Sequence, residues 1–386
     1  MRVLLVSNYF PPERGSASRL VRDIAQFLHN AGDEVQVLTP PPSYLPSQSP
    51  QPPVQGVNVI EAGIPLPKHL PHLWSRGMEH LVGPWLTLLA SRKIQKPDVV
   101  YAFVQPLSTG FVARMLASWF GVPLVIHLQD LFPHNVKDTG LLPHQALFAP
   151  LETLAKVLYR SAQGILVHAP GVARYLDDQR IPGVLHLPNW VDTNLVTPDP
   201  FCDNTPPRVL CAGNLGLAQG AEQFLNLATR FQSDPISFEI YGEGACLEAL
   251  LEHAKREGLA NVRFFPMLPE AEYAQKLKKA ELFVVTLDSR IRYPVIPSRI
   301  ADAMASSVPI LGMLPDSDAR AEIEKSGGGA VVDCDDIDGA AKLLQKLLDD
   351  SKLRRKMGQA GRRYAEENLD REKNLQVLRR ILSDTR

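Results

Sequence analysis

Two clusters of side chains in this 386-residue sequence could hold phosphate and hydroxyl groups. The first is Pro297-Ser298-Arg299-Ile300-Ala301-Asp302. A proline-led helix start presents N–H groups without intrahelical partners and a partial positive charge, and both suit phosphate oxygens. Asp302, one turn further in, would accept hydrogen bonds from sugar hydroxyls. Arg290, Arg292 and Arg299 surround this start, and guanidinium groups pair with phosphate through two bonds at once. The second cluster is His127-Leu128-Gln129-Asp130, at the end of an apolar run. A histidine and an acid there would face one cleft and orient a hydroxyl or relay a proton. Each feature also has an ordinary structural reading: an amphipathic helix, a hydrogen-bonded core histidine, a helix-capping aspartate.

Glycine-rich loops follow other strand-like runs. Gly15 in Glu13-Arg14-Gly15-Ser16 permits close backbone approach, and Ser16 is suited to cap the next helix. Gly213-Asn214-Leu215-Gly216-Leu217-Ala218-Gln219-Gly220 places three glycines in eight residues before a helix, a pattern that can nest a phosphate. Gly242 and Glu243 lie in a further loop of this kind, Tyr241-Gly242-Glu243-Gly244. No G-x-G-x-x-G is present, which disfavours a dinucleotide site.

The elements that must position these residues alternate strand and helix, the pattern of parallel sheets built from βαβ units. Strands are expected near Val3–Ser7, Glu34–Thr39, Val57–Glu61, Val99–Phe103, Leu124–His127 and Gly164–His168. A second set is expected near Arg208–Gly213, Ser237–Tyr241, Val262–Phe265, Leu282–Thr286, Ile310–Leu314 and Gly329–Val332. The helix from Ala17 to Asn30 ends before Gly32, and prolines cluster between Leu187 and Pro207. Two doubly wound domains joined there would bind ligand outside the carboxyl ends of their strands. A net charge of −1 gives no field to recruit nucleic acid. No run of eighteen apolar residues spans a membrane, and the four scattered cysteines read as reduced thiols of a cytoplasmic protein.

These motifs together resemble the family 4 retaining glycosyltransferases of the GT-B fold, in the subgroup near bacterial polysaccharide and lipid-linked sugar synthesis. The resemblance rests on Ser7-Asn8-Tyr9-Phe10-Pro11-Pro12-Glu13, Asp130-Leu131-Phe132-Pro133, Pro188-Asn189-Trp190-Val191-Asp192, Ala212-Gly213-Asn214-Leu215-Gly216, Pro297-Ser298-Arg299 and the final helix, and so covers nearly the whole chain. It implies an α/β GT-B fold: two doubly wound Rossmann-like domains facing a central cleft, with the C-terminal helix crossing back to the first. The corresponding division is an acceptor domain over 1–187, a linker over 188–207, a donor domain over 208–364 and the crossing helix over 365–386. A sugar would pass, with retention, from a nucleoside diphosphate sugar, UDP-linked in most of the family, to a hydroxyl of a glycan or lipid-linked acceptor. No metal is obligatory and no other cofactor is implied. Donor contacts would come from Gly15, Gly213, Asn214, Gln219, Gly242, Glu243, Arg292, Pro297, Ser298, Arg299 and Asp302, the last at the ribose. Asp130 and His127 would orient and polarise at the reaction centre.

The chain departs from the family pattern at three places. Pro294 stands where the first of two paired acids is usual, Asp302 replaces the second, a Glu, and Gln219 stands where a Lys is common. The alternative they leave open is a catalytically weak, nucleotide-binding partner protein. The stretch 64–89, from Ile64 to Leu89, mixes Trp74, Trp85 and many leucines with Lys68 and Arg76. It reads either as a peripheral membrane contact or as a packed helix of the acceptor domain.

Overall fold

A computed structural model describes residues 1–13, 15–41, 54–62, 83–142, 144–199 and 204–385. Residues 64–82 of the expected interfacial stretch, residues 42–53 and Cys202 lie outside these. The chain forms two compact units, one of residues 1–137, 142–188 and 373–386, the other of 138–141 and 189–372.

The first unit is a seven-stranded parallel sheet. Its strands are β1 (Arg2–Ser7), β2 (Glu34–Thr39), β3 (Asn58–Glu61), β4 (Val99–Val104), β5 (Leu124–Leu128), β6 (Gly164–Val167) and β7 (Val184–His186), in the order β3-β2-β1-β4-β5-β6-β7. β1, β4 and β5 are almost wholly buried and nearly continuously apolar, as strands covered on both faces must be. Helices α1 (Ser16–Asn30), α2 (Leu107–Phe120), α3 (Phe148–Tyr159) and α4 (Pro170–Asp178) supply the crossovers. Val3 lies opposite Val35 on β2 and Val99 on β4, so the strand order reverses at β1. That is the point where ligands sit in open parallel sheets.

The second unit repeats the scheme with six parallel strands: β8 (Arg208–Asn214), β9 (Ser237–Glu243), β10 (Val262–Phe265), β11 (Leu282–Thr286), β12 (Ile310–Met313) and β13 (Gly329–Val332). Their order is β10-β9-β8-β11-β12-β13, reversing at β8. Its helices are α5 (Glu222–Thr229), α6 (Leu247–Arg256), α7 (Glu270–Leu277), α8 (Arg299–Ala305), α9 (Asp318–Ser326), α10 (Ile337–Asp349) and α11 (Ser351–Tyr364). The last helix, α12 (Arg371–Asp384), runs from Lys373 onward within the first unit. Leu375, Leu378 and Leu382 recur at helical spacing and are buried. Arg379 reaches Asp33, beyond the end of α1, at 2.7 Å.

Two expectations about helix starts are corrected. Gly15, at φ 122°, is the cap residue of α1, and Ser16 is already helical and caps nothing. Likewise the helix expected from Pro297 begins at Arg299 and has only seven residues. Pro297 and Ser298 form a preceding turn, whose carbonyl at Pro297 accepts from the Ile300 N–H.

Candidate active site

In the second unit three loops at the carboxyl ends of β8, β9 and β11 are tied together. The Leu215 N–H donates to the Glu243 carbonyl and the Cys246 N–H to the Leu215 carbonyl, both at 2.9 Å, joining the first loop to the second. The Thr286 hydroxyl donates to the Gln219 carbonyl at 2.6 Å, and the Asp288 N–H donates to the Ala218 carbonyl at 3.0 Å, joining the first to the third. Glycine is required at one of these contacts: a Cβ on Gly242 would lie 2.2 Å from the Gly213 oxygen. The predicted donor residues Gly213, Asn214, Gln219, Gly242 and Glu243 thus lie on adjoining loops at one end of the sheet.

The charge at this place comes from Arg299. Its Nη1 donates to Asp302 Oδ2 at 2.9 Å, and its guanidinium lies over the Tyr273 ring, 4.4 Å from the ring centre. Its stem passes Gly213, where a Cβ would sit 3.8 Å from Arg299 Cγ. A planar cation gripped at one edge and supported on one face loses little further freedom on meeting an anion. α8 is so short that this side chain, more than the helix end behind it, supplies the positive charge.

Asp302 is 1% exposed and one oxygen of its carboxylate is engaged by Arg299, so the acid holds the arginine in place. Arg290 is closed off differently, forming a two-bond pair with Asp288 at 2.8 and 2.9 Å. Arg292 stands exposed on the same loop, while Pro297 and Ser298 are half-buried beside Arg299. Tyr273 was not legible as a site residue, because it lies on α7, distant in sequence from every loop of the site. It is brought under Arg299 by packing alone.

In the first unit the loops after β1, β4 and β5 carry the polar groups. Gln105, which follows β4, donates from Nε2 to Asp130 Oδ2 at 3.1 Å. Asp130 is half-buried, and removal from water raises its pKa while the Gln105 bond opposes the rise. Gln105 could have been suspected from its place, a polar residue at the end of a buried strand. Gly15 borders open space at the start of α1.

His127 is corrected. It has no exposed surface; its Nδ1 lies 2.7 Å from the Tyr101 hydroxyl and its Nε2 3.0 Å from the Gln129 amide nitrogen. Its ring packs edge-on against Tyr101 and Phe103. Burial, aided by His168, holds its pKa down at about 3, so it is a neutral, buried core histidine. β5 is buried along its whole length, which encloses position 127, and Asp130, just beyond the strand end, escapes that constraint.

Residues 15–190 match the family described as glycosyl transferase 4-like domain, and residues 198–364 match glycosyl transferases group 1. Among relatives, WcaI of Escherichia coli (strain K12), whose name assigns it to colanic acid biosynthesis as a glycosyl transferase, is 24% identical over all of both chains. WbjE of Pseudomonas aeruginosa, named as a glycosyltransferase, is 25% identical over 77% of this chain and 78% of its own length. Among solved structures, sucrose-phosphate synthase from Thermosynechococcus elongatus superposes with a TM-score of 0.80 at 16% identity, covering both chains fully. HepE of Anabaena, in complex with UDP-glucose, gives 0.73 at 16% identity, again with full coverage. With one glycosyltransferase domain matched on each parallel sheet, the chain is a glycosyltransferase enzyme of the GT-B fold.

Proposed function

We propose that the enzyme moves a sugar from a nucleoside diphosphate sugar, UDP-linked, to a hydroxyl of a glycan or lipid-linked acceptor, with retention at the anomeric carbon and without an obligatory metal. The observation that carries this reading is Arg299, held by Asp302 and Tyr273 beside the Gly213 loop. A fixed cation beside a glycine-rich loop stabilises a departing diphosphate. Uridine as the base is supported by HepE, which has been solved with UDP and with UDP-glucose. The colanic acid assignment in the name of WcaI supports a polysaccharide-building acceptor.

In the proposed step the bond from the anomeric carbon to the β-phosphate oxygen breaks. The acceptor oxygen bonds to the same face of that carbon, and the acceptor proton passes to the leaving phosphate oxygen. No strong protein base is then required. Arg299 balances the growing phosphate charge; Asp130, oriented by Gln105, accepts the acceptor or sugar hydroxyl. His127 acts only through the packing of β5.

A thermal-shift series with UDP, GDP, ADP and UDP-glucose, each with and without EDTA, tests the donor half. A ligand at one hundred times its Kd stabilises by about 2.7 kcal/mol. The expected result is a shift with UDP that survives EDTA, followed by acceptor-dependent UDP release and an NMR spectrum showing the donor's anomeric configuration in the product. No shift with any nucleotide would sink the donor assignment, and binding without turnover on any acceptor would favour a nucleotide-binding partner role. Inversion in the product would overturn the mechanism alone.

A further inference from the structure

The loop that carries Asp130 is held from beyond the acid. Asp130 meets Gln105 on one side. On the other it stands near Tyr159 of α3, where burial, with the Asp130 charge beside it, raises the tyrosine pKa. The Tyr159 hydroxyl lies 3.5 Å from the Phe132 carbonyl. After the buried Leu131 and Pro133 the chain enters one helical turn, His134–Asp138. The Asn135 and Lys137 N–H groups donate back to the Leu131 and Pro133 carbonyls at 3.0 and 3.1 Å.

The His134 ring at the start of that turn is gripped by two helices. It packs edge-on against Phe148 of α3 and Tyr175 of α4, with ring centres 5.0 and 4.9 Å away. Its Nε2 stands 4.0 Å from Glu152 Oε1. The Tyr175 hydroxyl donates to that same oxygen at 2.6 Å, and Lys156 Nζ lies 3.0 Å from the other. Burial would raise the pKa of Glu152, but Tyr175 and Lys156 outweigh it and hold it below the ordinary value. Lys137 Nζ lies over the Phe148 ring, 4.9 Å from its centre. Phe148, Glu152 and Tyr159 share one face of α3 at helical spacing, so one helix meets the loop at both Phe132 and His134.

We propose that His134 is a positioning residue: its clasp by Phe148, Tyr175 and Glu152 fixes where the Asp130 carboxylate meets a hydroxyl. This role rests on the reading of Asp130 as the group that accepts that hydroxyl. Displacing a reacting group by about 1 Å can cost about a hundredfold in rate, so a loop that carries one gains from being fixed at its far end.

The test is carboxyl-carbon NMR of the full chain labelled at aspartate, with the Asp130 signal assigned by its loss in Asp130→Asn and followed through a pH titration. In the wild type its midpoint is expected above the ordinary carboxylate value of about 3.9, because burial raises it. In His134→Ala the loosened loop admits water, and the midpoint should fall toward that value. His134→Phe keeps a ring between Phe148 and Tyr175 and should titrate close to the wild type. A purely structural role would lower the melting temperature and leave the Asp130 titration in place. An unmoved midpoint in His134→Ala would therefore overturn the proposal, as would an equal displacement in His134→Phe. If the alanine variant does not melt cooperatively, Tyr175→Leu, which removes one wall of the clasp, is read in the same way. The role of Asp130 is tested apart: undiminished UDP release from UDP-glucose by Asp130→Asn would remove both readings, whereas an unmoved midpoint strikes the clasp alone.

Discussion

Arg299 is the residue on which donor binding is expected to turn, and its neighbours divide the work. Removing a charge-assisted bond to phosphate costs about 2 kcal/mol, so Arg299→Ala should weaken UDP binding ~30-fold in a calorimetric titration. Tyr273→Leu removes the ring under the guanidinium and should cost severalfold, whereas Tyr273→Phe keeps the ring and should bind almost as the wild type does. Equal losses in the leucine and phenylalanine variants would contradict this division. Two groups of the first unit, the buried His127 and the half-buried Asp130, make opposite predictions about pH. His127 is neutral in the fold, with its pKa at about 3, so its contribution is complete above pH ~6.5 and is lost as the pH falls toward 3. Denaturant midpoints should fall over that window in the wild type and less steeply in His127→Gln. Asp130 has its pKa raised by burial, so its ionised form opposes folding. Asp130→Asn should therefore lose activity yet gain stability at pH 7, and the gain should vanish on acidification below about pH 4.

The elements of the site depend on close backbone contact between loops. Gly242→Ala would force a methyl group to 2.2 Å from the Gly213 oxygen, so the first and second loops must part. The expected cost is about 1–3 kcal/mol of stability, together with weaker UDP binding, read in one thermal-shift experiment with and without nucleotide. A variant of unchanged melting temperature and affinity would show that the loops do not need this approach. The strands that end in these loops were largely legible. Glu34–Thr39, Val262–Phe265, Leu282–Thr286 and Gly329–Val332 fall where the apolar runs place them. β7 was not, because Val184–His186 is three residues long and largely exposed, too brief for a periodic signal. The start of α8 was misplaced by two residues, since proline preceded by an apolar run resembles a first helical turn whether or not the helix has begun.

For the whole molecule the decisive element is α12, which follows the second unit in sequence and completes the first. Deleting residues 373–386 would uncover the surface matched to Leu375, Leu378 and Leu382, each buried to 1% or less. At about 1.5–3 kcal/mol per leucine the loss approaches the stability of a typical domain. The truncated chain is expected to unfold or aggregate, with the first unit failing before the second in limited proteolysis. Burial would raise the pKa of Asp33, but Arg379 and the amino terminus outweigh it and hold it below the ordinary value. Arg379→Ala should accordingly destabilise the first unit at neutral pH, with the effect fading as acid protonates Asp33. Survival of the truncated chain as a cooperative folded protein would show that α12 is dispensable.

Short-range information was enough for some of this protein and not for the rest. Apolar runs, proline clusters and loop glycines specify local backbone state, and that reaches the alternating elements, the two parallel sheets and the loops at the strand ends. Asp130, Arg299 and the Gly213 and Gly242 loops could be chosen on that basis, because a residue just past a strand lies at the ligand side of such a sheet. Which of the chosen residues are open to a ligand depended on packing among distant segments. His127 lies in a strand covered on both faces and is enclosed by Tyr101 and Gln129. Asp302 engages Arg299 through one oxygen, and Tyr273 was brought beneath that same arginine from another helix. Burial is a property of what lies on the far side of a side chain, and sequence neighbours alone do not specify it.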